Sequence, residues 1–173
     1  MKSIMISIKP KWVAKILNGE KTIEIRKSHP KCELPITVYI YCTKNKGNLY
    51  RHFKGEFMIL EETRKECLWN GKVVAKFTLN KVEKIEIEWH DENHFYYTYR
   101  TKDLKYRDFF AKSGLFLGEL ETYIDNRKSY AWHIDNLEIF ENPLPLQPYF
   151  DLDSPPQSWQ YIENAKRKIG VGE

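Results

Sequence analysis

The chain has 173 residues, 42% hydrophobic and 30% charged, the make-up of one globular domain with enough length to bury a core. It contains no apolar run long enough to cross a membrane and no signal-peptide core at its start. Its three cysteines (Cys32, Cys42, Cys67) lack Cys-x-x-Cys spacing, which argues against a disulfide framework or zinc ribbon and for a cytoplasmic protein.

The formal net charge of +4 hides an asymmetry. Residues 1–54 carry 12 Lys/Arg against 3 Asp/Glu, and residues 55–173 carry 16 against 21. A basic third ahead of an acidic remainder suits a positive face turned towards phosphates. Aromatic content is 14%, with 11 Tyr and 5 Trp; most such rings fill cores, but flat side chains also stack on bases.

In chain order, Ser3 to Ile8 reads as a first strand. Pro10 suits the first position of a helix, where a missing N–H costs nothing. Trp12, Val13, Ile16 and Leu17 then fall on one helical face, and Gly19 provides a left-handed stop. From Thr22 to Lys27 the pattern alternates: Ile23 and Ile25 point to one side, Thr22, Glu24 and Arg26 to the other. Lys21 lies in the turn before, where its stem can swing to the Glu24 side. Periodicity alone predicts a half-exposed strand whose polar face meets water.

Ile36 to Cys42 is the clearest buried strand, with Cys42 as core. Residues 48–70 lose the strand period and read as an insertion, partly helical around Phe57 to Arg64. Lys72 to Glu88 alternates as one long or two bent strands, His90 to Tyr99 as a loop or ribbon. Short helices are expected at Asp108 to Lys112 and Leu117 to Ile124. Tyr130 to Ile134 and Leu137 to Phe140 read as a closing pair of strands. An extended tail follows from Pro143, with Pro145 and Pro148. Its last ordered feature is Pro155 to Tyr161, and the basic stretch Lys166 to Lys168 is expected to fray. No repeat or linker interrupts the chain.

Few motifs carry chemistry. His90 and His94 have the i, i+4 spacing of a metalloprotease helix, but Asp91 follows His90, no helical periodicity supports them and no third ligand stands out. We therefore expect no metal and no cofactor. The eight glycines form no phosphate loop, and no serine or cysteine nucleophile has a local signature. What remains is Lys21, Glu24 and Arg26. Arg26 can fork onto a carbonyl or phosphate, Glu24 can accept from an exocyclic amine, and Lys21 beside a carboxylate acts as a donor.

Gly19, Lys21, Glu24 and Arg26 match the Gly-x-Lys-x-x-Glu-x-Arg signature of the ASCH family, which this chain resembles. The opening Ile6 to Val13, the strand Tyr130 to Ile134 and the Pro155 to Trp159 tail are also similar to phage- and bacterial-type ASCH proteins. The resemblance implies a single domain over 1–173 of α+β class: a PUA-like small mixed β-barrel flanked by helices. It also implies a pocket for RNA or a nucleobase between the motif and the closing strands. By the same resemblance Trp132 and Trp159 are stacking candidates, and Lys9 and Ser158 rim hydrogen-bonding groups.

The leading expectation is an RNA or modified-nucleobase binder with no membrane association. Two alternatives stand beside it. One is a hydrolase, either an N4-acylcytidine amidohydrolase or a ribonuclease, in which Lys21 and Glu24 would be the catalytic pair. The resembling amidohydrolases carry Lys-x-x-Thr at the motif; Glu24 occupies the threonine position, so their hydroxyl-based covalent route is closed. The other is a protein-interaction module with a vestigial pocket.

Overall fold

The computed structural model describes residues 2–44, 50–53, 56–59, 69–90, 96–125 and 127–163. Three helices and twelve strands appear among them: β1 (Lys2–Ile8), α1 (Pro10–Leu17), β2 (Ile23–Arg26), β3 (Ile36–Cys42), β4 (Tyr50–Phe53), β5 (Glu56–Ile59), β6 (Lys72–Leu79), β7 (Val82–Lys84), β8 (Glu86–His90), β9 (Tyr96–Arg100), α2 (Tyr106–Ser113), α3 (Leu117–Ile124), β10 (Tyr130–His133), β11 (Asp135–Leu144) and β12 (Trp159–Glu163). The α+β class expected from sequence is the one observed. Strand pairing among the described residues gives open sheets with no closed ring. No helix among them is long and apolar enough to cross a membrane.

Contacts divide the chain into two compact units. The first comprises Met1–Asn18, Ile36–Thr78 and Asn136–Glu173. Its five-stranded sheet runs in the order β11-β6-β3-β1-β12, with β1 parallel to β3 (Ile4↔Val38) and antiparallel to β12 (Ile4↔Tyr161). A strand flanked on both sides in this way carries apolar residues on both faces. Accordingly every residue of β1 after Lys2 is buried. Met5, Tyr39, Tyr41, Val73, Phe140, Leu144, Phe150 and Ile162 form one core, with Tyr39 and Phe150 edge to face at 5.0 Å. Helix α1 starts on Pro10 and buries Val13, Ala14, Ile16 and Leu17.

The second unit comprises Gly19–Pro35 and Leu79–Asp135. A three-stranded sheet in the order β2-β10-β7 is its frame, accompanied by the β8–β9 ribbon. Helices α2 and α3 supply Phe109, Leu120 and Ile124 to a core shared with Ile23, Ile25, Ile85, Tyr99, Leu104 and Ala131. Gly114 closes α2 at φ +63°, its N–H bonded to the Phe110 carbonyl. At the start of α3, Glu119 reaches back to accept the Phe116 N–H.

Several expectations change. Residues 56–59 form a strand paired antiparallel with β4, in register Tyr50↔Ile59 to Phe53↔Glu56, and not a helix; the rest of the expected helical stretch, and Cys67, lie outside the described residues. Lys72 to Glu88 is three strands, broken at Asn80-Lys81 and Ile85. Of the loop or ribbon expected for His90 to Tyr99, the ribbon is what is found where described, Glu86 to His90 pairing with Tyr96 to Arg100; His94 lies outside the described residues. β10 and β11 do not pair with each other but belong to different sheets. Only Ile134 separates them, and Asn136, the second residue of β11, takes a left-handed backbone at φ +48°, so the chain makes no hairpin turn between them. Pro143 sits inside β11, an edge strand, the place in a sheet where proline is tolerated. Lys166 to Lys168 also lie outside the described residues.

Candidate nucleic-acid interface

The motif begins at a turn that only certain residues permit. Gly19 sits at φ +76°, so the chain reverses out of α1 in a conformation that a β-carbon disfavours. Three residues later the backbone is strapped from both sides: the Thr22 N–H donates to the Lys112 carbonyl at 2.9 Å, and the Thr22 carbonyl accepts from Ile134 N–H at 3.0 Å. Lys21 is thereby placed at the C-terminal end of α2. Its Nζ donates to the Ser113 carbonyl at 2.7 Å. A cation is favoured there, because the last carbonyls of a helix carry its negative dipole end.

Three cross-strand registers define the faces of the small sheet. Trp132 stands opposite Glu24 and Val82, Tyr130 opposite Arg26 and Lys84, and Ala131 opposite Ile25 and Glu83. Residues directly opposite share a face. One face therefore carries Glu24, Arg26, Tyr130 and Trp132; the other carries Ile23, Ile25, Ala131, Glu83 and His133. β2 is an edge strand, so Lys21 reaches both the end of α2 and Glu24 around that edge.

The three motif side chains converge. Glu24 Oε2 lies 3.3 Å from Lys21 Nζ, and Glu24 Oε1 lies 3.0 Å from an Arg26 terminal nitrogen. Lys21 is 2% exposed, and Glu24 and Arg26 are each 7% exposed. The water-facing polar strand face expected from periodicity is thus replaced by an enclosed ion cluster. Burial of three charges is tolerable only because each carboxylate oxygen has its own cation and the ammonium has a second acceptor. A carboxylate offers about four lone-pair sites. Two are taken here by these cations, so capacity remains for an amine donor.

Two further aromatic side chains, Tyr130 and Tyr123, bear on this cluster, and sequence reasoning did not single them out. Tyr130 is Arg26's cross-strand neighbour, and its ring lies 4.5 Å from that of His29. Tyr123, from α3, feels the charges of the same ions. Burial raises its pKa above the usual phenol value; Arg26 opposes that rise and Glu24 adds to it. Lys27 Nζ lies 5.3 Å from the centre of the Tyr123 ring. Trp132, named from sequence for stacking, is completely enclosed, with its indole N–H donated to the Ser28 carbonyl at 3.2 Å.

The other residues named from sequence belong to the first unit. Lys9 is exposed at the start of α1. Ser158 is exposed, and its carbonyl accepts the Ser7 N–H at 2.9 Å. Trp159 is half-buried, edge to face with Tyr161 at 5.5 Å.

A second polar cluster occupies the opposite sheet face. His133 Nε2 lies 2.6 Å from Glu83 Oε2, and Lys81 Nζ 3.3 Å from the same oxygen. The Asp103 N–H donates to Glu83 Oε1 at 2.9 Å, and Lys81 also pairs with the Asp103 carboxylate. Burial pushes the Glu83 carboxyl up, but bonds from Asp103 N–H, His133, Thr101 and Lys81 outweigh it and hold it below the ordinary carboxylate value. The arrangement fastens the 101–104 turn to β7. Glu83 and His133 are 50 residues apart, so only the β7–β10 pairing reveals them. Among the described residues no group of His, Cys, Asp or Glu side chains is arranged to hold a metal.

No protein-family model matches the chain, and no curated protein does. Solved structures do match. ASCH from Zymomonas mobilis matches with a TM-score of 0.58 at 16% identity, covering 93% of this chain and 87% of that one. A serine-to-alanine mutant of that protein matches at TM-score 0.59 and 18% identity, over 93% of this chain and 88% of the other. A tyrosine-to-phenylalanine mutant matches at 0.59 and 17%, over 94% and 91%. This chain has the fold of the ASCH proteins.

Proposed function

We propose that the chain is a PUA-like domain of the ASCH type that binds RNA or a modified nucleobase beside the Lys21–Glu24–Arg26 cluster. The observation that carries the reading is the enclosed carboxylate with one cation on each oxygen. Such a group is fixed in place before a ligand arrives, so its remaining lone pairs and the Arg26 fork can read a base edge with little ordering cost. Lys21 is already committed to Ser113 and Glu24 as a donor. That favours a binder over the hydrolase reading, which needs the amine as base or nucleophile.

Filter binding of single-stranded RNA at two salt concentrations tests the proposal. Affinity should fall with salt by about 0.7 log units per log unit for each phosphate neutralised. Arg26→Ala should weaken it at both concentrations. Wild-type protein that shows no salt-dependent RNA affinity, or that deacylates N4-acetylcytidine in a Lys21-dependent manner, would overturn it.

A further inference from the structure

The ion cluster is too enclosed to meet a ligand with more than its edge, so whatever binds there needs a more open neighbour. Tyr123 is that neighbour. The residue is 38% exposed, and the side chain of Lys27, the residue after Arg26, reaches its ring. Lys27, itself exposed, holds its ammonium over that ring. Among the described residues Lys27 pairs with no carboxylate, so its charge is directed at the aromatic face.

We infer that Tyr123 and Lys27 form a nucleotide subsite at the edge of the Glu24–Arg26 cluster. A base stacks on the Tyr123 ring in place of the ammonium, and the displaced ammonium pairs with the phosphate of the same nucleotide. This rests on the proposed function and narrows it, because the ligand becomes a phosphorylated nucleotide unit of a single strand and not a free nucleoside. The substitution is balanced in kind: a flat π system replaces a cation over the ring, and a phosphate replaces the ring as partner of the cation. Base stacking on an aromatic side chain tolerates any base, so sequence preference is left to Glu24 and Arg26.

The test is fluorescence anisotropy with a labelled single-stranded RNA heptamer, competed with cytidine and with cytidine 5′-monophosphate. Wild-type protein should be competed more strongly by the monophosphate. Tyr123→Leu should weaken heptamer binding about tenfold or more, while Tyr123→Phe, which keeps the ring and shields the result from folding artefacts, should stay within about twofold. Lys27→Gln should reduce the salt slope by about 0.7, and Lys105→Gln, an exposed lysine elsewhere on the unit, should not. If Tyr123→Leu and Lys27→Gln bind as wild type while Arg26→Gln binds weakly, the subsite is wrong and the broader reading stands. Equal slope losses for Lys27→Gln and Lys105→Gln would also overturn the subsite. Wild-type protein that binds no RNA overturns both.

Discussion

Arg26 holds the Glu24 carboxylate at 3.0 Å from two positions further along the same strand, and Lys21 holds the other oxygen at 3.3 Å. Removing the middle charge leaves two enclosed cations facing each other. Glu24→Ala should therefore destabilise the fold by about 3–5 kcal/mol, read as a lowered urea midpoint. Replacing all three together (Lys21→Met, Glu24→Leu, Arg26→Met) should cost less than Glu24→Ala alone, because no unpaired charge remains. A loss below about 1 kcal/mol for Glu24→Ala would mean that the cluster behaves as a solvated surface pair.

The Glu83 cluster makes stability depend on pH. A carboxyl held below its unfolded value, about 4.3, adds stability that is present above that pH and lost as pH falls through the folded value. The difference in unfolding free energy between wild type and Glu83→Gln should be full at neutral pH and shrink below about pH 4. Urea denaturation at pH 7 and pH 3 measures it. A difference that grows on acidification would reverse the assignment.

Gly19 separates a backbone requirement from a ligand requirement within the motif. A β-carbon built there meets nothing within 4 Å, yet φ is +76°. Gly19→Ala should thus cost about 1–2 kcal/mol through backbone strain alone, and Gly19→Asn less, since asparagine tolerates the left-handed region. Thermal melts of the two variants check the order. An alanine variant as stable as wild type would mean that the turn relaxes.

Much of the local structure was legible because it depends on neighbours in sequence. Pro10, the apolar spacing to Leu17 and the Gly19 stop specify α1; the 117–124 helix and the β-branched run of β3 follow in the same way. The burial of Glu24 and Arg26 was not legible, since alternation shows which side chains share a face and not what covers it. Its neighbours on that face, Tyr130 and Trp132, come from β10, about a hundred residues away. The same holds for Glu83 and His133, whose meeting depends on a strand pairing. The supposed β10–β11 hairpin failed because the left-handed backbone at Asn136 has no strong sequence signal; asparagine is merely tolerant of it.

Trp132 is where core and ligand roles can be told apart most cleanly. It is fully enclosed, faces Glu24 across the ladder and donates its indole N–H to Ser28. A side chain so placed stabilises the sheet beside the ion cluster. Trp132→Ala should cost about 3–5 kcal/mol by cavity formation. Trp132→Phe keeps most of the ring volume but removes the indole donor, and should cost about 1–3 kcal/mol. Urea unfolding gives both values. Anisotropy on the folded Trp132→Phe protein then decides the role: RNA affinity within about twofold of wild type is expected of a wall, because stacking would otherwise contribute about 1–3 kcal/mol. Unchanged stability with lost affinity would instead move the indole from the core to the ligand.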